Sequence, residues 1–124
     1  MKVLSIVFAG LLGLASFNAF AAESNLKTVA AVNQNKAALA GKTVSVKGKV
    51  VKVNNEIMGR NFVHVQDGTG DANSNNNNLV VTSKQTASVG DQVVISGVVV
   101  VNRDFGSGYM YPLLIEEATI TVKK

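Results

Sequence analysis

Hydrophobic residues follow two different periods along this chain, and the first of them is helical. Val29, Val32 and Leu39 recur at the spacing of one helix face, and Gly41 stands where a helix commonly ends. This pattern predicts one helix over residues 29–40. Because its apolar stripe is narrow, we expect the helix to need a partner surface to be stable.

Beyond Gly41, apolar residues, most of them valines, alternate with polar ones at a period of two, which predicts β-strands. Glycine, asparagine and aspartate residues interrupt this alternation and are typical of turns. They divide the region into five predicted strands, which cover residues 43–53, 61–66, 79–83, 91–101 and 109–122.

The first predicted strand contains a shift in its alternation. Val44, Val46 and Val50 share one face, whereas Val51 and Val53 fall on the other. A shift of one residue predicts a β-bulge, which bends a strand. A long bent first strand and a long fourth strand, in a set of five, are typical of the OB-fold. We therefore expect an all-β, five-stranded OB-fold-like barrel with one N-terminal helix, with a β-sandwich as the alternative.

The first residues of the chain have the pattern of a targeting segment. Lys2 precedes an uncharged apolar run over residues 3–14, and residues 19–21 (Ala-Phe-Ala) place small side chains where signal peptidase reads them. Residues 1–21 are thus predicted to be a cleaved signal peptide and residues 22–124 a single domain. We expect the mature protein to be periplasmic and to have no further membrane span.

Composition narrows the functions that this domain could have. The 124 residues include no cysteine and one histidine, and the formal net charge is +4. Without cysteine there is no thiolate metal site and no thiol nucleophile. A single histidine provides few ligands for a zinc site and only one candidate base for a catalytic triad. We therefore expect a binding protein without catalytic activity.

Four segments of the chain resemble a family of small exported OB-fold proteins. The segments are GKTVSVKGKVVKV over residues 41–53, IMGRNFVHVQDGTG over 57–70, VGD over 89–91 and DFGSGY over 104–109. Members of this family are encoded beside periplasmic cytochrome nitrite reductase and other multihaem systems. The resemblance implies the OB-fold, the periplasm, and a periplasmic redox protein or multihaem cytochrome as partner. Phe62 stands where we associate tryptophan with this family.

An OB-fold predicts where the binding residues would lie. Its loops after the first and fourth strands lie on one side of the barrel, next to the second strand. Here these loops are residues 54–60 and 102–109, so their side chains and the outward side chains of the second strand should share a face. The candidate ligand-binding residues are Arg60, Phe62, Gln66, Arg103, Phe105 and Tyr109, and the candidate metal ligands are Met58, His64 and Met110.

Three kinds of ligand fit such a face. Thioether sulfur and imidazole nitrogen suit Cu(I), and in this respect the chain resembles small OB-fold copper chaperones of periplasmic efflux systems, although it lacks their tryptophan and closely spaced methionine pair. Exposed aromatic rings and arginines suit docking to a partner protein. They also suit single-stranded nucleic acid, which the predicted export and modest charge disfavour. The plain alternative is that the methionines fill gaps in the core and His64 is an ordinary surface residue.

Overall fold

The computed structural model describes residues 26–106 and 108–123, so the predicted signal peptide lies outside the described residues. The described part of the chain forms six strands, two short α-helices and one 3₁₀-helix (Ala72–Ser74). The strands are β1 (Leu26–Lys27), β2 (Thr43–Ile57), β3 (Arg60–Gln66), β4 (Leu79–Ser83), β5 (Gln92–Asp104) and β6 (Met110–Lys123), and the α-helices are α1 (Val29–Gln34) and α2 (Lys36–Leu39).

Five of the strands are hydrogen-bonded in a ring. β2 pairs with β3, β3 with β4, and β5 with β6, all antiparallel, while β4 pairs with β6 in parallel. The ring is completed by β5, which pairs antiparallel with β2 over seven residue pairs. β1 extends the sheet by pairing in parallel with β2. The prediction of a β-rich fold is confirmed. β1 was not predicted, because a strand of two residues is too short to show an alternation of apolar and polar positions.

The first long strand is bent where the sequence predicted a bulge. The register of β2 against β3 shifts between Val50 and Lys52, which confirms the bulge. The strand then continues to Ile57, so the prediction of a loop over residues 54–60 was wrong. The turn itself is Met58 and Gly59, whose φ angles of 54° and 78° are those of a tight two-residue hairpin.

The predicted helix is present but interrupted. α1 ends at Gln34, and Asn35 separates it from α2 because its ψ of 21° departs from helical geometry. Val29 and Val32 are fully buried and pack against the core, as the apolar stripe predicted. No helix in the described part of the chain is long and apolar enough to span a membrane.

The core lies between the ring of strands and α1. Its side chains come from every strand of the ring, and the inward positions of the predicted alternation are confirmed. The fully buried members include Val46, Val63, Val65, Val81, Val93, Ile95 and Ile115.

The start of α1 is attached to the ring by the turn that follows β3. The Val29 N–H donates to Asp67 Oδ2 at 2.9 Å, and the Ala30 N–H donates to Thr69 Oγ1 at 3.0 Å. The N–H and hydroxyl of Thr69 both donate to Asp67 Oδ1. Burial raises the pKa of Asp67, but the hydrogen bonds from Thr69 and Val29 outweigh it, so the pKa lies below its ordinary value.

We predict that Asp67→Asn lowers the free energy of unfolding by about 1 kcal/mol at pH 7, because the helix loses a charged acceptor at its N-terminus. A carboxyl whose pKa is lowered by folding stabilises the fold above its unfolded pKa, and this contribution disappears as the pH falls through the folded pKa. The difference between wild type and variant, measured by urea unfolding, should therefore shrink between about pH 5 and pH 2. Asp104→Asn, which alters an exposed turn where Asp104 accepts from the Gly106 N–H, is the control and should change stability less. A constant difference across this range would contradict the role of Asp67.

Candidate functional site

Glu116 is a nearly buried carboxylate in an apolar part of β6. It is 8% exposed and follows three buried apolar residues. The pairing of β5 with β6 is irregular here, with a register shift between Ser96 and Val98. Glu117 has a φ of 52°, and a Cβ on Gly97 would lie 2.8 Å from the Glu116 carbonyl oxygen. The irregularity and the close approach at Gly97 fix the place of Glu116.

Two arginines from distant parts of the chain meet at this carboxylate. An Arg60 Nη atom lies 3.7 Å from Glu116 Oε1, and Arg103 Nε lies 3.3 Å from Oε2. The Arg103 Nε is buried and makes no aligned hydrogen bond with any described residue, so its contact with Glu116 is an ion pair only. The arginine side chains are 33% and 40% exposed, so both remain accessible to a ligand. We call Arg60, Glu116 and Arg103 the arginine–glutamate cluster.

Three aromatic rings pack beside the arginine–glutamate cluster. The ring centroid of Phe62 is 5.8 Å from that of Phe105 and 5.7 Å from that of Tyr111, and the latter two are 5.9 Å apart. Both guanidiniums also lie over Phe105, with Arg60 Cζ 5.3 Å and Arg103 Cζ 4.7 Å from its centroid. These cation–π contacts hold the arginines on a ring as well as at a carboxylate.

The aromatic packing corrects one expectation from the sequence. Phe62 was predicted to point outward and to contact a ligand, but it is only 2% exposed. Phe105 and Tyr111 pack against its ring, which explains the burial. Phe62 is therefore a buried residue on which Phe105 and Tyr111 pack. The two guanidiniums partly cover the ring of Phe105.

Large apolar side chains are exposed on both hairpins that carry the arginines. Tyr109 and Met110 are 59% and 54% exposed, and Met58 is 46% exposed. The Phe105 N–H donates to the Tyr109 carbonyl at 2.8 Å. This bond fixes the Tyr109 backbone next to Phe105, whose ring both guanidiniums contact. The ends of these two hairpins therefore form a surface that carries both arginines and exposed apolar side chains. We call it the Tyr109 surface and define it by Arg60, Arg103, Phe105, Tyr109 and Met110.

His64 and Gln66 belong to a different part of β3. Gln66 Nε2 donates to Asn78 Oδ1 at 3.4 Å, and Asn78 Nδ2 lies 3.4 Å from His64 Nδ1. Burial lowers the pKa of His64, and the positive charge of Lys52, its partner across β2, lowers it further. The imidazole is thus held by an amide network apart from the arginines.

Two of the predicted metal ligands, Met58 and His64, lie far apart along the β2–β3 hairpin. Met58 lies in the turn before Arg60, and Arg60 and His64 are four residues apart on β3, which separates their Cα atoms by about 13 Å. Met58 lies still further from His64 along the hairpin, so a common ion would have to bridge more than this separation. Residues 26–106 and 108–123 also contain no group of three or more His, Cys, Asp or Glu side chains suited to a metal. Cu(I) binding stays a prediction, one that this geometry does not favour.

Glu116 and Tyr111 are central to the site, but the sequence did not single them out as binding residues. The available signal for Glu116 was a carboxylate next to an apolar run that must be buried. Its partners could not be named without the register of β6 against β5. Tyr111 lies only two residues from Tyr109, and which of the two is exposed depends on the turn between the strands.

A comparison with models of known protein families finds no match to this chain, and a search of curated proteins finds no similar sequence. The resemblance to exported OB-fold proteins therefore stays a prediction. We therefore infer function from the arginine–glutamate cluster and the surface around it.

We predict that Glu116→Gln lowers the free energy of unfolding by roughly 1–2 kcal/mol, because two arginines lose their shared counter-charge while remaining partly solvated. Glu117→Gln removes a neighbouring carboxylate that is exposed, so it is the matched control and should change stability by less than about 0.5 kcal/mol. Urea unfolding of both variants measures the difference. Equal effects of the two substitutions would contradict the role given to Glu116.

Proposed function

We propose that this chain is an exported, non-catalytic OB-fold module that docks an acidic surface of a partner protein through the Tyr109 surface. The observation that carries the proposal is the position of exposed Tyr109 and Met110 at the end of the β5–β6 hairpin, whose Phe105 ring contacts both of the arginines that are held at Glu116. The resemblance noted in the sequence makes a periplasmic multihaem cytochrome the class of partner that we favour.

The order of strand pairing supports the OB-fold part of this proposal. The five strands of the ring are paired in the order β2, β3, β4, β6, β5 and back to β2. An OB-fold pairs its five strands in the same cyclic order, with the first strand bent so that it contacts both the second and the fourth. The β2–β3 and β5–β6 turns then correspond to the two loops that flank the usual OB-fold binding face.

Preorganised arginines are suited to docking. An arginine or tyrosine at the centre of an interface contributes more to affinity than most residues, provided that little side-chain freedom is lost on binding. Arg60 and Arg103 are already restrained by Glu116 and by the ring of Phe105. Each keeps at least a third of its side chain exposed, so a partner carboxylate can reach both guanidiniums.

The charge of the surface suits an anionic partner, and the burial of its rings favours an acidic protein over a nucleic acid. Two guanidiniums share one carboxylate in the arginine–glutamate cluster, which leaves an excess positive charge there. Single-stranded nucleic acid would need exposed rings for base stacking. Phe62 is buried and both guanidiniums lie over Phe105, so Tyr109 is the ring that this surface leaves most open.

The contacts of the chain's single histidine support a non-catalytic role. A general base is usually oriented by a hydrogen bond to a carboxylate or a carbonyl and lies near a nucleophile. His64 contacts the Asn78 amide instead, and the charge of Glu116 is balanced by arginines.

The test is a binding titration of the mature protein with purified multihaem cytochrome nitrite reductase at low and at high salt. We expect a saturable complex that weakens as salt rises, because the arginines contribute electrostatic attraction. Replacing Tyr109 and Met110 together by serine should weaken the complex at least about tenfold. Val89→Ser is the matched control, since Val89 is 65% exposed on a different loop and should not affect binding.

Two results would contradict the proposal. One is the absence of a saturable complex at low salt. The other is equal affinity of the Tyr109/Met110 double variant and the Val89 control, which would place the interface elsewhere on the protein.

A further inference from the structure

A cleft of about 630 Å³ opens beside the arginine–glutamate cluster. It lies between the β2–β3 turn, the end of β4 with the residues that follow, and the irregular part of β6. The residues of its wall that bear on binding are Met58, Arg60, Thr82, Lys84, Gln85 and Glu117.

The cleft exists because β4 and β6 separate after a short parallel contact. In the described part of the chain these strands are paired at one position, Val81 with Ile115. Beyond it, side chains replace the backbone ladder: the Ser83 hydroxyl donates to the Ala118 carbonyl at 2.6 Å, and the Ile120 N–H donates to Gln85 Oε1 at 2.8 Å. These bonds keep the two strands at a fixed separation.

Thr82 supplies an unused hydroxyl in the wall of this cleft. The residue is 1% exposed, and its Oγ1 atom has no hydrogen-bond partner among the residues that the structure describes. The neighbouring Ser83 hydroxyl is fully engaged, since it donates to Ala118 and accepts from the Gln85 N–H. A buried hydroxyl without a partner reduces stability, so a group that enters the cleft and accepts its hydrogen bond would remove this cost.

Two positive charges flank the same cleft on walls that are held together. Asn61 Nδ2 donates to the carbonyls of Lys84 and Gln85 at 3.3 and 3.1 Å, and Asn61 Oδ1 accepts from the Glu56 N–H at 2.9 Å. Asn61 thus connects the β2–β3 hairpin to the segment that carries Lys84. Arg60 contacts Glu116 at a long 3.7 Å, so its guanidinium retains donors for a second acceptor.

We propose that this cleft binds a carboxylate group. The Thr82 hydroxyl donates to one carboxylate oxygen, Arg60 and Lys84 balance the charge, and Met58 contacts the apolar part of the ligand. The carboxylates of Glu117 at the cleft and of Glu116 beside Arg60 repel a second negative charge on the ligand. A monoanion therefore fits better than a dianion such as phosphate. This site goes beyond docking through the Tyr109 surface because it requires neither Tyr109 nor Met110.

The test is a titration of the ¹⁵N-labelled mature protein with propionate at constant ionic strength, followed by the backbone amide shifts of Gly59 and Lys84. We expect saturable shifts with a millimolar dissociation constant, and weaker binding of inorganic phosphate. A parallel titration with blocked N-acetyl-glutamate methylamide identifies the source of the carboxylate. If it binds at least as tightly as propionate, the cleft accepts an acidic protein side chain; if only propionate binds, the cleft accepts small free acids.

Variants of the cleft separate binding from structure. Thr82→Val keeps the shape of the side chain and should weaken propionate binding at least about fivefold, while raising the urea midpoint because an unpartnered buried hydroxyl is removed. Thr82→Ser should retain binding. Lys84→Gln should also weaken binding, and it changes an exposed residue that does not threaten folding. Lys47→Gln, on the far part of β2, is the charge-matched control.

The absence of saturable shifts with propionate would overturn the proposal, as would wild-type affinity in Thr82→Val or equal effects of Lys84→Gln and Lys47→Gln. The Tyr109/Met110 double variant should bind propionate like wild type. A failure of docking with intact propionate binding, or the reverse, therefore distinguishes the two proposals.

Discussion

The structure of the site depends on the burial of one carboxylate, that of Glu116. A carboxylate at 8% exposure needs counter-charge, and the chain supplies it from two arginines that lie 56 and 13 residues earlier in sequence. Arg60 begins β3 and Arg103 lies near the end of β5. The need of the buried Glu116 carboxylate for counter-charge therefore brings the ends of two hairpins together. Phe105 then packs against both guanidiniums, and Tyr109 is held beside it through the backbone.

This arrangement gives Arg60 two neighbouring roles. Toward β5 it is part of the Tyr109 surface, where its guanidinium lies over Phe105. Toward β4 it lines the cleft that contains the unpartnered Thr82 hydroxyl. Its long contact with Glu116 restrains it without using all of its donors. Both proposed sites therefore rest on the same physical feature, an arginine that is positioned by an ion pair but still accessible.

The sequence predicted the parts of the fold that follow from local patterns. The alternation of valines placed the strands, the phase shift after Val50 located the bulge, and the stripe of Val29 and Val32 identified the buried face of the helix. It failed where long-range pairing decides the outcome. The polar residues after Val53 looked like a loop, but they pair with the start of β3. Phe62 looked exposed by alternation, but rings from another hairpin cover it, and the partners of Glu116 depend on a register that no local pattern shows.

The most direct test of the account is the mobility of the arginine side chains, measured by ¹⁵N relaxation at the Nε–H groups. If Glu116 holds both guanidiniums, Arg60 and Arg103 in the wild type should have order parameters close to those of rigid backbone, about 0.85. In Glu116→Gln both values should fall to those of flexible side chains, below about 0.6, while Glu117→Gln should leave them unchanged. Mobile guanidiniums in the wild type, or rigid ones in Glu116→Gln, would contradict the claim that this carboxylate organises the site.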